Sequence, residues 1–215
     1  MITLYDFELS ADCYKLRLML SILGRRYDVV PVGIFPGHDQ DAEWFRLVSP
    51  QGRVPALVDD DHDGLHDHVS VALVHLAMHY DPTARWWDLH NLGLTSEIEE
   101  WTHLAEMLSR SAGAARLAVN FGADVNLADA QQEAHRLLRI VDEHLWFGER
   151  EGHDWLCAAT HPTIADIACF PDIVLCEEGG ISRQDYPAVR RWLDRVKRIP
   201  GFTTMSGVFL TAPAL

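Results

Sequence analysis

Basic residues are scarce in this sequence. Eighteen Lys and Arg stand against 32 Asp and Glu, for a formal net charge of −14 over 215 residues. Such a chain is a poor partner for nucleic-acid phosphates, which demand Lys/Arg-rich surfaces, and for anionic membranes. No run of 18 apolar residues is present, so no transmembrane helix is expected. The N-terminal stretch MITLYDFELS lacks both a basic segment and a long apolar one, which argues against a signal peptide. Cysteine is sparse as well. Cys13, Cys157, Cys169 and Cys176 form no CxxC pair, and they read as reduced thiols of a cytoplasmic protein, not as a disulfide framework. There is no internal repeat and no low-complexity tract.

What is present suits one large or two small globular units, with 48% hydrophobic residues available for a core. Ile2–Phe7 has strand composition. From Cys13 to Leu23 the apolar residues fall at helical spacing, and Gly24 follows as a stop. Residues 26–32 read as a second strand, so the opening is a β-α-β unit with parallel strands. A short helix near 42–48 leads to SPQGRVPALVDDD, where Pro55 heads a strand over Ala56–Asp59. Proline cannot donate to a sheet ladder and belongs at first positions or edges. A turn and a return strand near Leu65 follow, then a helix in HVSVALVHLAMHY. Residues 81–92 are rich in breakers and read as a linker.

Beyond it, strand signals nearly vanish. Ile98, Trp101, Ala105, Leu108 and Ala112 share one helical face, as do Ala130, Ala134, Leu137, Val141 and Leu145. Thr163 with Asp166 forms a capping-box pattern before another helix, and the segment from Pro187 to Pro200-Gly201 is amphipathic. Residues 93–215 are therefore expected to be all-helical.

This order resembles the soluble glutathione transferases of the serine/cysteine type. The resemblance rests on SADCYKLRLMLSILGRRY, SPQGRVPALVDD, PTIADIACF and YPAVRRWLDRVKRIPGF, which lie in the right order and spacing over nearly the whole chain. It implies a thioredoxin-like β-α-β-β-β-α domain over 1–80, a linker over 81–92 and an all-α domain over 93–215. It also implies a cis Val54-Pro55 bond, with Val54 presenting its backbone to the cysteinyl part of glutathione as co-substrate. Ser10 occupies the place of the hydroxyl that donates to the glutathione sulfur. Cys13 lies near the place where cysteine-type members form a mixed disulfide. A helix N-terminus beside either group would favour a thiolate.

The family's acid–Ser pair at the third helix matches poorly. One register puts Asp67 and His68 there, the other His68 and Val69, and both lack the hydroxyl. In either case His68, if protonated, is a substitute partner for a carboxylate, and Arg53 replaces the usual Gln. The resemblance places an apolar electrophile pocket on the first long helix of the second half, at Trp101, His103 and Met107, and it implies a homodimer. DDDHDGLHDH holds five Asp (Asp59, Asp60, Asp61, Asp63, Asp67) and three His (His62, His66, His68). In a hairpin these side chains alternate faces and splay into water, so a solvated turn without metal is expected. Two alternatives to a transferase stay open: a scaffold of the same fold that has lost glutathione, and a thiol-disulfide enzyme working through Cys13.

Overall fold

The computed structural model describes residues 1–208. Its first half is a four-stranded sheet: β1 (Ile2–Asp6), β2 (Asp28–Pro31), β3 (Ala56–Asp59) and β4 (Gly64–His66), in the order β2-β1-β3-β4. β1 and β2 run parallel, joined by α1 (Ala11–Ile22). β3 is antiparallel to β1, with Tyr5 opposite Ala56, and β4 pairs back onto β3. Pro55 therefore stands one residue before the ladder, where its missing N–H costs nothing. The Val54-Pro55 peptide bond is cis. The short α2 (Glu43–Arg46) brings Phe45 against Tyr5, and α3 (Val69–Tyr80) packs beside α1.

The second half is helical throughout the described residues: α4 (Leu92–Leu108), α5 (Ala114–Phe121), α6 (Leu127–Glu151), α7 (Ile164–Val174) and α8 (Pro187–Val196). Helix α7 is buried along its whole length and is the axis of the molecule, in contact with α1, α3, α4 and α8. A sequence with no polar face can only be an interior helix. Its start is held by the expected capping box: Thr163 accepts from the Ala165 N–H, and the Asp166 carboxylate accepts from the Thr163 N–H. Asp166 also accepts from the Trp192 indole at 2.8 Å, which ties α8 to α7.

Helices α4 and α5 are one continuous rod interrupted by a π-helical turn over Ser109–Gly113. A π turn inserts one residue and rotates the face that follows, and it is a feature often found at functional sites. Here it turns Ser109 toward the first domain.

Candidate functional site

Between the two halves lies a cleft with two chambers that share Asp12 and Ser109. The first, about 330 Å³, is bordered by Arg53, His68, Ser70, Glu106 and Arg110. The second, about 240 Å³, is bordered by Phe7, Ser10, Ile34, Val54, Arg116 and Leu117. Ser10 and Val54 thus face one space from different elements.

Ser10 is the N-cap of α1. Its Oγ accepts from the Cys13 N–H at 3.2 Å, which satisfies one of the helix's unpaired donors. The hydroxyl keeps its own hydrogen for the chamber. The cap sits where the positive end of the α1 dipole favours an anion.

Cys13 points the other way. It is fully buried, and its sulfur accepts from the Phe7 N–H at 3.3 Å. Burial, joined by the Asp6 charge, pushes its thiol up to about 12 despite that hydrogen bond. A thiol so placed neither ionises near neutrality nor meets a disulfide, because the reactive form is an accessible thiolate. Helical geometry turns residue 13 from the cap into the sheet-facing core, away from the chamber that Ser10 faces.

Arg53 is exposed at the rim and donates its N–H to the buried Ser49 hydroxyl. That hydroxyl also approaches Asp67 at 3.5 Å. His68 is the N-cap of α3, exposed, with Nε2 at 3.8 Å from the Glu106 carboxylate across the cleft. Neither register considered for the acid–Ser pair finds the hydroxyl that the structure supplies. Helix α3 begins at Val69, so Ser70 comes round into the first chamber, with its Oγ at 2.8 Å from His68 Nδ1. The signal was available in the sequence, as a Ser within the first turn of a helix whose start was placed one or two residues too early.

The three residues expected to line an electrophile pocket, Trp101, His103 and Met107, do not border either chamber. Trp101 packs edge-on against His144 of α6. His103 borders a depression of about 400 Å³ with Val71, Val74 and Trp87, which adjoins the first chamber through Ser70, Thr102 and Glu106. Met107 packs on the core. The cleft face of α4 is instead Thr102, Ala105, Glu106 and Ser109. A helix turns 100° per residue, so one step of phase moves Trp101 off the face that carries Thr102.

Sequence reasoning missed Lys15. It is one of two lysines in the chain, and it lies buried under the floor of the cleft. Its Nζ donates to Asp12 at 2.7 Å and Ser109 at 3.0 Å, and it pairs with Asp172 of α7 at 2.8 Å. Burial disfavours the ammonium, but the two carboxylates outweigh it and raise its pKa. Burial raises Asp172 too, against the pull of Lys15. Ser109 donates to Asp172 at 2.7 Å, and a Cβ on Gly113 would meet Asp172 Oδ1 at 2.9 Å. The π turn thus requires glycine there so that α7 can approach. The one clue in the sequence was a lysine three residues after Asp12, between apolar positions of the first helix.

A thioredoxin-like sheet with a capping serine and a proline-headed strand, followed by a helical domain, defines the two-domain fold of the soluble transferases. The chain belongs to the glutathione S-transferase family: the sequence model "Glutathione S-transferase, N-terminal domain" matches residues 4–79, and "Glutathione S-transferase, C-terminal domain" matches residues 99–195. Among similar proteins, glutathione S-transferase verG of Clonostachys rogersoniana is 29% identical over 86% of this chain and 78% of its own. Maleylacetoacetate isomerase of Pseudomonas aeruginosa is 24% identical over 93% and 92%. The disulfide-bond oxidoreductase YfcG of Escherichia coli is 25% identical over 93% and 92%. The fold is shared with a glutathione S-transferase structure from Pseudomonas fluorescens (TM-score 0.83, 23% identity, 95% and 98% covered). It is shared also with a glutathione transferase homologue from Lodderomyces elongisporus solved with two glutathiones per subunit (TM-score 0.82, 18% identity, 93% and 94% covered).

Proposed function

We propose that this protein is an enzyme that binds glutathione and transfers its thiol to an electrophile. The observation that carries the reading is Ser10: a helix-capping hydroxyl with a free hydrogen, facing the chamber that Val54 borders. Residues 1–80 would hold glutathione, residues 93–215 would complete the electrophile site, and 81–92 would join them.

In this reading the backbone of Val54, beside Pro55, pairs with the cysteinyl part of glutathione. Ser70 and the first N–H groups of α3 meet its γ-glutamyl carboxylate, with Arg53 as a nearby cation and the His68 ring beside it. Asp67 and Glu106 are the anions available to its amine. The thiol proton passes to solvent, and Ser10 donates to the sulfur left behind, where the α1 dipole also stabilises negative charge. The thiolate then forms a C–S bond to the electrophile. With an aryl chloride the C–Cl bond breaks and chloride leaves. Phe7, Ile34 and Leu117 offer an apolar wall for that partner and Arg116 a polar end.

A homodimer belongs to the same proposal. It is supported by the exposed Val71 and Met78 on α3 next to the depression bordered by Val74, Trp87 and His103, and sedimentation equilibrium tests it. A cytoplasmic setting suits four unpaired thiols.

The test is calorimetric titration with glutathione, together with conjugation kinetics on 1-chloro-2,4-dinitrobenzene. Binding in the micromolar to millimolar range is expected. Ser10→Ala should leave binding nearly intact while cutting turnover about 10–1000-fold and raising the pKa of the bound thiol. No heat and no competition at millimolar glutathione would overturn the reading in favour of a scaffold of the same fold.

A further inference from the structure

The turn that sequence reasoning left in water is partly folded inward. Asp59, at the end of β3, is fully buried, and its Oδ2 is a hub. His75 Nε2 lies 2.8 Å from it, His62 Nδ1 3.0 Å, and the Tyr80 hydroxyl donates to it at 2.7 Å. Two more histidines stand beside these. The His66 ring is 4.4 Å from that of His75. The His79 ring is 4.5 Å from His75 and 4.2 Å from His62. Side chains from the hairpin and from the C-terminal half of α3 therefore converge, because α3 returns beneath the β3–β4 turn. Ser70 lies at the N-terminal end of the helix, and at 1.5 Å per residue it is about 7.5 Å along the axis from His75 and about 13 Å from His79.

We propose that Asp59, His62 and His75 form a binding site for a divalent transition-metal ion of the zinc type, clipping the β3–β4 hairpin to α3. Their three ligand atoms lie within 4.8 Å of one another. A tetrahedral zinc with bonds of about 2.0–2.1 Å holds its ligand atoms about 3.3 Å apart, close to the 2.8 and 3.0 Å that now separate Asp59 Oδ2 from the two imidazole nitrogens. Two imidazoles and one carboxylate select zinc, nickel, copper or cobalt over magnesium and calcium, which take oxygen shells.

A simple hydrogen-bonded cluster built around Asp59 would not explain a further polar atom left over. His66 Nε2 is buried and has no hydrogen-bond partner among the described residues. A Cβ on Gly64 would lie 2.8 Å from it and 3.2 Å from His75 Nε2, so both nitrogens flank the same glycine. On metal binding the ligating nitrogens of His62 and His75 present lone pairs, and their protons move to the other ring nitrogens.

The test uses the full chain without an affinity tag, stripped with a chelator. Zinc chloride titrated into it should bind one equivalent per chain and raise the melting temperature, since a ligand of the native state alone stabilises it. Cobalt(II) should give the visible absorption of a tetrahedral site and perturb the NMR ring signals of His62 and His75 before those of the other histidines. His62→Ala changes an exposed turn residue. It should weaken zinc binding at least ~100-fold, since even outer-shell changes cost 10–100-fold, while glutathione binding and conjugation stay as they were. The proposal fails if zinc at 100 μM, on the order of a weak site's requirement, leaves melting unchanged. It fails equally if His62→Ala binds as well as the unmodified chain, or if cobalt perturbs other histidines first. None of these readouts depends on the transferase reading.

Discussion

Replacing Lys15 by methionine should destabilise the protein more than any surface change. The ammonium has three hydrogens, and the structure has three acceptors for them: Asp12, Asp172 and Ser109, at 2.7, 2.8 and 3.0 Å. The side chains of Lys15 and Asp172 are 2% and 1% exposed. Methionine fills much of the same volume but leaves Asp172 buried with only the Ser109 hydroxyl, and facing Asp12. Breaking a buried pair from one side costs about 3–5 kcal/mol, a large share of the ~5–15 kcal/mol that holds a typical protein folded. Removing Asp172 alone, as Asp172→Asn, should cost less, because Lys15 keeps Asp12, whose side chain is 37% exposed. The double variant Lys15→Met/Asp172→Leu leaves no uncompensated buried charge and should recover to within about 1–2 kcal/mol of the unmodified protein.

The loss should also depend on pH. Without the lysine, burial raises Asp172 further above its unfolded value. A carboxyl with a raised folded pKa adds stability while protonated and loses it as pH rises through that pKa. The Lys15→Met deficit should therefore be larger at pH 8 than at pH 5. Urea unfolding followed by tryptophan fluorescence at both pH values measures it. A Lys15→Met cost below about 1 kcal/mol, or a double variant as unstable as the sum of the singles, would refute the reasoning.

Ser70→Ala should raise the Kd for glutathione roughly 2–13-fold, the worth of one hydrogen bond in the range of about 0.5–1.5 kcal/mol, and calorimetry would show it. An unchanged Kd would mean that the hydroxyl does not touch the ligand. All four cysteines are buried, so a thiol reagent such as DTNB should find none reacting quickly in the native protein and four after denaturation. Fast reaction of one native thiol, mapped to Cys13, would favour the thiol-disulfide mechanism over the Ser10 one.

The parts of the fold that were legible in the sequence are those set by local chemistry. The strand over Ala56–Asp59 was bounded by Pro55 on one side and an Asp run on the other. The Thr163–Asp166 capping box was readable because both of its hydrogen bonds lie within four residues. The phase of α4 was nearly right: Ile98, Ala105, Leu108 and Ala112 are buried together. Yet an error of one residue in which face meets the first domain was enough to nominate Trp101 in place of Thr102. The helix α3 boundary shows the same sensitivity. Placing it one or two residues early hid Ser70 and left His68 as the substitute partner.

The sequence by itself determined the two-part plan, because strand alternation, helical spacing, caps and proline positions are local and repeat along each element. Only the tertiary structure decided which side chains meet. Lys15 finds Asp172 over 157 positions of chain, and Asp59 finds His75 across a turn and a helix. Those pairings depend on how α1, α7, the hairpin and α3 pack in space. Such a contact has no signature in spacing, since the burial that makes it matter exists only after the elements have docked.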